Sequence, residues 1–165
     1  FMEGRLWKGP MASDALTWTI TLDGPVDIKR ALPAAIRSNA HDYLNPPIRN
    51  FNAKGIRKTA KAVTKWADEL TLEAMQQVGM VMEDGGTGGA LFRNFYRDFL
   101  SEANDYLMDV NILTARDLFA EAAPMWQAVA ENISTGTEES LQEASNLLLE
   151  IADIEEEAMT ILSAI

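Results

Sequence analysis

TGTEESLQEASNLLLEIADIEEEAMTILSAI, residues 135–165, is the stretch whose reading decides the fold class. Leu141, Ala144, Leu148, Ile151, Ala158, Leu162 and Ile165 recur at spacings of three and four, which places them on one face of a helix. Thr135-x-x-Glu138 reads as a capping box that starts it. Glu155 is the one charge that interrupts the apolar seam. The repeat is short for a coiled coil, and it suits antiparallel packing in a bundle.

Working outward, the same period runs back through the chain. A helix covers roughly residues 113–132, with a kink expected at Pro124. Before it, Phe92, Phe95, Tyr96, Phe99 and Ala103 form an aromatic face expected to be buried. Thr71 caps a helix that ends near Glu83, with Leu70 and Met75 spaced as a hydrophobic staple. Another runs from Asn52 to about Ala67 and turns Ile56, Ala60, Val63 and Trp66 inward. Asp27 caps a first helix that runs to about Leu44, with Leu32, Ala35, Ile36, Ala40 and Tyr43 inward. Pro33 implies a bend or a later start there, and Asn45-Pro46-Pro47 ends it.

Residues 15–22, ALTWTITL, break this pattern. Leu16, Trp18, Ile20 and Leu22 alternate with threonines, as in a half-buried strand. Residues 2–7 offer a hairpin partner, although a lone hairpin is marginal in water. The chain opens on Phe1 and not on methionine. Together these features predict a mainly α domain of five to six helices, bundle-like, over residues 25–165. Residues 1–24 are then a strand or hairpin remnant of an N-terminal domain missing from this chain, left unpaired or paired with a neighbour.

Composition narrows function. The chain has 165 residues and a formal net charge of -11, which disfavours nucleic-acid binding. Residues 1–65 carry 11 basic and 5 acidic side chains, and residues 66–165 carry 3 and 20. The two parts either face each other in one fold or meet different partners. There is no cysteine, which removes disulfides, thiolate metal sites and cysteine nucleophiles and is compatible with a reducing cytoplasm. No apolar run is long enough to cross a bilayer, so no membrane role is expected.

Catalytic and metal candidates are sparse. His41 is the single histidine, and with no cysteine it cannot build a typical zinc site. It reads as a structural or partly exposed helix residue. No G-x-S-x-G elbow occurs, and a Ser-His-Asp triad would have to use His41. Glu155-Glu156-Glu157 reads as a solvated face. No catalytic residue, metal ligand or cofactor is assigned.

Two features invite binding. Gly85-Gly86-Thr87-Gly88-Gly89 lacks the lysine and hydroxyl of a phosphate-binding P-loop. One reading is a helix break, with Gly85 or Gly86 left-handed and Thr87 capping the next helix. The other is an anion site made by Thr87, Gly88 and Gly89, with Arg93 and Arg97 one turn apart. Lys54, Arg57, Lys58, Lys61 and Lys65 form a basic stripe. It is either a solvated face or a docking surface for an acidic partner.

GTGGALFRNFYRDFLSEA, residues 86–103, resembles the signature of a bacterial helical domain of unknown function. That domain follows a papain-like N-terminal domain in butirosin biosynthesis protein H (BtrH)-like proteins. Val26, Asn45-Pro46-Pro47, Asn50-Phe51-Asn52 and Ile56 resemble its opening, and Pro124-Met125-Trp126 with Ala130 its next element. The resemblance spans roughly residues 26–132, with Gly86, Thr87, Gly88, Gly89, Phe92, Arg93, Tyr96 and Phe99 as its core. It implies an acyltransfer system, in which an aminoacyl group passes from an acyl carrier protein to an amine. The catalytic cysteine and histidine belong to the N-terminal domain, so none is carried over here.

The expected function is therefore a non-catalytic, cytoplasmic domain supporting an acyltransferase-like domain, with an acyl carrier protein as a further partner. The alternatives are a structural or dimerisation module, forming a homodimer, and a small-ligand or anion-binding domain.

Overall fold

Of the described helices, four begin at a side-chain cap and another begins at a glycine. The computed structural model describes residues 24–85 and 88–165, with Thr19 and Thr21. Among these residues there are seven helices and no strand: α1 (Ile28–Leu44), α2 (Asn52–Val63), α3 (Trp66–Glu69), α4 (Leu72–Glu83), α5 (Gly89–Leu107), α6 (Val110–Thr135) and α7 (Glu138–Ser163). The chain is a helical bundle, as its periodicity requires. The expected strand at 15–22, apart from Thr19 and Thr21, and its hairpin partner lie outside the described residues.

Local capping follows the sequence closely. Asp27 Oδ1 accepts from the Arg30 amide at 3.2 Å, and Thr71 Oγ1 from the Ala74 amide at 3.2 Å. These bonds satisfy amides that have no intrahelical acceptor. Pro33 lies inside one continuous α1, early enough that its missing N–H removes a single bond near the first turn. Pro124 likewise stands within a single α6.

Five boundaries and faces depart from expectation. The seam helix starts two residues later than its expected cap. Thr137 and Ser140 form the capping box, with bonds of 3.0 and 3.1 Å. Thr135 ends α6 instead, because Gly136 takes a left-handed φ of 71° and its amide returns to Asn132. The helix expected to reach Ala67 stops at Val63, and a turn leads into the short α3. The start of α6 moves back to Val110, because Asp109 Oδ1 caps the Asn111 amide at 2.8 Å.

The fourth departure is the face of α5. Phe92 and Phe95 are 49% and 59% exposed, not buried. The inward face is Gly89, Ala90, Leu100 and Ala103, with Tyr96 and Phe99 half-buried. Tyr96 stacks on Phe99 and meets Phe119 edge-on, with centroids 5.7 and 4.9 Å apart. Small residues at the start of α5 bring its backbone close to the core, and this rotates the large rings at 92 and 95 outward. On α1, Ala35 is also exposed, leaving Ile36 and Ala40 as the buried pair.

Helices α6 and α7 form the central pair. α5 and α4 pack on α6, while α2 and α1 pack on α7. The interior divides into two clusters. One holds Ile56, Val63, Met75, Trp126, Val129, Ile133, Leu148 and Ile151. The other holds Ile36, Leu100, Ile112, Phe119, Ala158 and Leu162. Glu155 lies on α7 between the residues that α7 gives to each.

Candidate functional site

The residue that interrupts the α7 seam is at the centre of a buried polar cluster. Glu155 is 1% exposed. A carboxylate taken from water at that depth costs several kcal/mol unless its oxygens are paired. Here both oxygens are paired twice. Oε1 accepts from Arg93 Nε at 2.7 Å and from Trp126 Nε1 at 2.8 Å. Oε2 accepts from Arg93 Nη2 at 3.0 Å and from the Tyr43 hydroxyl at 2.8 Å. The guanidinium also lies over the Trp126 ring, 4.5 Å from its centroid.

Four helices supply this cluster: α1 through Tyr43, α5 through Arg93, α6 through Trp126 and α7 through Glu155. Burial pushes the Tyr43 phenol well above its ordinary range, and the neighbouring Glu155 charge and hydrogen bond push it further. The phenol therefore stays protonated and donating. Two lone pairs on each carboxylate oxygen are matched by two donors on each, so Glu155 has no vacant acceptor for a substrate proton. The cluster works chemically as a brace.

Beside the brace lies a cleft of about 360 Å³, between α2, the α4–α5 junction and α6. Trp66, Trp126, Ile133 and Leu148 contribute apolar wall, and Asn50, Thr59 and Arg93 contribute polar groups. Gly88 and Gly89 line it as well. Asn52, at a left-handed φ of 57°, holds this wall to α1 by donating from Nδ2 to the Tyr43 carbonyl at 2.9 Å.

The glycine run is a helix boundary, and it holds a glycine at positive φ. Gly85 is not left-handed, since α4 ends through Asp84 in right-handed geometry, and Gly86, the other candidate for the cap, lies outside the described residues. The positive φ, 59°, belongs to Gly89, the first residue of α5. A Cβ there would overlap the Glu83 carboxylate and lie 2.7 Å from the Met82 carbonyl, so the position demands glycine. Gly88 is the N-cap. Thr87 lies outside the described residues.

The structure distributes the remaining candidates between pairs and open surface. The Ala90 amide donates to Glu83 Oε1 at 3.1 Å, so the chain's own carboxylate occupies part of the α5 N-terminus. Arg93 is committed to Glu155, and Arg97 donates to Asp98 at 2.8 Å and Asn94 at 2.7 Å. Arg57 is drawn out of the basic stripe by Asp153 and Glu156, both at 2.6 Å, which push its guanidinium pKa further up. Lys54, Lys58, Lys61 and Lys65 are all exposed, as expected, and among the described residues none forms an ion pair. The His41 side chain is 73% exposed, with Nδ1 3.4 Å from Asp42 Oδ1. Among the described residues no group of three or more His, Cys, Asp or Glu converges on a point, and no helix is long and apolar enough to cross a membrane.

Sequence reading missed Glu155, Tyr43 and Trp126 as one cluster. The available signal was the interruption itself. A carboxylate at a core position of an apolar seam must find donors, and Arg93, on an inward edge of another helix, is a suitable one.

Comparison with known proteins gives one match. The family model described as Domain of unknown function (DUF4872) matches residues 2–162. No curated protein and no solved structure matches the chain. A match over nearly the whole length, spanning both the first residues and the helical body, shows that this chain belongs to that family, the domain of unknown function DUF4872.

Proposed function

We propose that this chain is a non-catalytic helical domain that supports a separate acyltransferase-like, papain-like domain, as in BtrH-like proteins. The observation that carries the non-catalytic part is the saturation of Glu155. The most buried charged group among the described residues is held by four donors from three other helices, which suits a rigid support and leaves it no acid–base role. The resemblance of residues 26–132 to the helical domain of BtrH-like proteins supports the choice of partner. On this reading residues 1–24 form the junction with that domain, and an upstream cysteine and histidine perform acyl transfer from a carrier protein. Lys54, Lys58, Lys61 and Lys65 offer an exposed basic surface for an acidic carrier, and such a surface acts mainly on the association rate.

The test presents this chain with an aminoacyl carrier-protein thioester and an aminoglycoside amine. Thioester loss at the spontaneous rate is expected from the chain alone. Acyl transfer by the chain alone overturns the proposal. So does a longer gene product that contains the upstream cysteine yet shows neither transfer nor affinity for the carrier.

A second reading is favoured by one observation. Phe92 and Phe95 are exposed and touch edge-on, with centroids 6.4 Å apart. A contiguous exposed aromatic pair marks an interaction surface, and a homodimer through α5 is the alternative. Light scattering on the wild type and on Phe92→Ser/Phe95→Ser separates the two. A dimer that dissociates in the variant favours the structural module.

A further inference from the structure

The cleft beside the brace has a chemistry that neither the support role nor the family assignment uses. Its volume, about 360 Å³, is at the low end for small-molecule sites and too small for a helix or a folded peptide. Two indole rings, Trp66 and Trp126, line it together with Ile133 and Leu148, which suits a flat apolar or aromatic body.

The charge lining it is selective. Among the described residues no Asp or Glu lines this cleft, in a chain that carries 25 of them. The one charged lining residue is Arg93. Its charge is offset by Glu155, but its donors are not all used. Nε and one Nη2 hydrogen go to Glu155, and Nη1 reaches the Gly89 carbonyl at 3.4 Å. A guanidinium has five N–H groups, so hydrogens on both Nη atoms are left over among the described partners. At the lip, Asn50 Oδ1 accepts from Lys58 Nζ at 3.0 Å. That bond holds one ammonium beside a residue that lines the cleft, and no described carboxylate neutralises it.

We propose that this cleft is a binding site for a small aromatic acid, with its ring between the two indoles and its acidic group toward Lys58. A cationic ligand would find no carboxylate there. A wholly apolar ligand would leave the Arg93 donors and the Lys58 charge unanswered, at a cost in affinity. The site is independent of the acyltransfer reading, since it needs no partner domain.

The test uses naphthalene-2-carboxylate and its neutral counterpart 2-naphthol, by calorimetry and by ¹H–¹⁵N spectra of the indole N–H groups. Naphthalene-2-carboxylate is expected to bind saturably, one per chain, and to shift the Trp66 and Trp126 indole resonances. Thr59→Phe should fill the cleft and abolish binding. Gly88→Leu serves as a second block, because a Cβ at Gly88 meets nothing within 4 Å. Lys58→Glu should weaken the carboxylate about tenfold and leave 2-naphthol nearly unchanged. Absence of saturable binding at millimolar concentration, or binding that leaves both indole resonances in place, overturns the site. Unaltered binding in folded blocking variants does the same. Equal affinity for the two probes, with no effect of Lys58→Glu, overturns the acid specificity.

Discussion

The two concentrations of charge in this molecule are built in opposite ways. Around Glu155 a single carboxylate is sealed between four helices and held by Arg93, Trp126 and Tyr43. Along α2 and the turn that follows it, four lysines at spacings of four, three and four lie in water without a described counter-charge. The difference teaches that position decides what a charge does. In the low-dielectric interior, an ionic group must be matched or the fold suffers. At the surface, the field is screened by salt and costs the fold little, so the charge is free to act on a partner or ligand.

The largest effect should come from breaking the buried side of this comparison. Glu155→Ala leaves Arg93 partly buried with no counter-charge and removes the acceptors for Trp126 and Tyr43. A loss of about 3–5 kcal/mol is expected from urea unfolding. The double variant Glu155→Leu/Arg93→Met should recover a large part of it, because well-packed apolar pairs often replace buried ion pairs. Recovery no better than the single variant would mean that the hydrogen bonds to Trp126 and Tyr43, and not the ion pair, carry the brace.

Next in size is Tyr43→Phe, which removes one bond to an ionised acceptor and should cost about 1.5–3 kcal/mol. Its pH dependence sharpens the point. The Tyr43 pKa is raised in the folded state by burial first and by Glu155 second. The associated stability is therefore fully present below the ordinary phenol value of about 10 and is lost as pH rises beyond it. Unfolding curves between pH 9 and about 11 should show the wild type losing stability more steeply than Tyr43→Phe. Parallel curves would show that the phenol is not held by the brace.

The corrected face of α5 predicts a smaller, internal contrast. Phe99, half-buried against Tyr96, should cost about 2 kcal/mol when truncated to Ala, less than the full burial value. Phe95, 59% exposed, should cost under about 1 kcal/mol. Equal large losses would mean that α5 is covered in solution on the side that carries Phe92 and Phe95.

The smallest effect belongs to the lysine ridge. Reversing Lys58 and Lys61 to Glu should change stability by about 0.5 kcal/mol or less. If α2 docks an acidic carrier, the same variant should slow association at low ionic strength and reduce its salt dependence. No change in association leaves the ridge as a solvated face.

By itself the sequence determined the long helices and the beginnings of α1, α2 and α4. Caps such as Asp27 and Thr71 act over three residues, and an apolar period repeats within two turns, so both are visible in a short window. The exposed lysines of α2 follow from the same periodicity, because Ile56, Ala60 and Val63 occupy the opposite side. Where two local signals competed, as at Thr135 and Thr137, the choice went to the residue after the glycine able to adopt a left-handed turn. Tertiary packing decided the rest. Glu155 meets partners 29, 62 and 112 residues away, and no local pattern joins them. The rotation of α5 was also settled at a distance, by the close approach of Gly89 and Ala90 to the core. Four aromatic rings at i, i+3, i+4 and i+7 span an arc that a helix can bury, so the stripe alone does not decide how much of it turns inward. Which part faces inward depends on the helices that arrive beside it, and on the donors that a buried carboxylate requires.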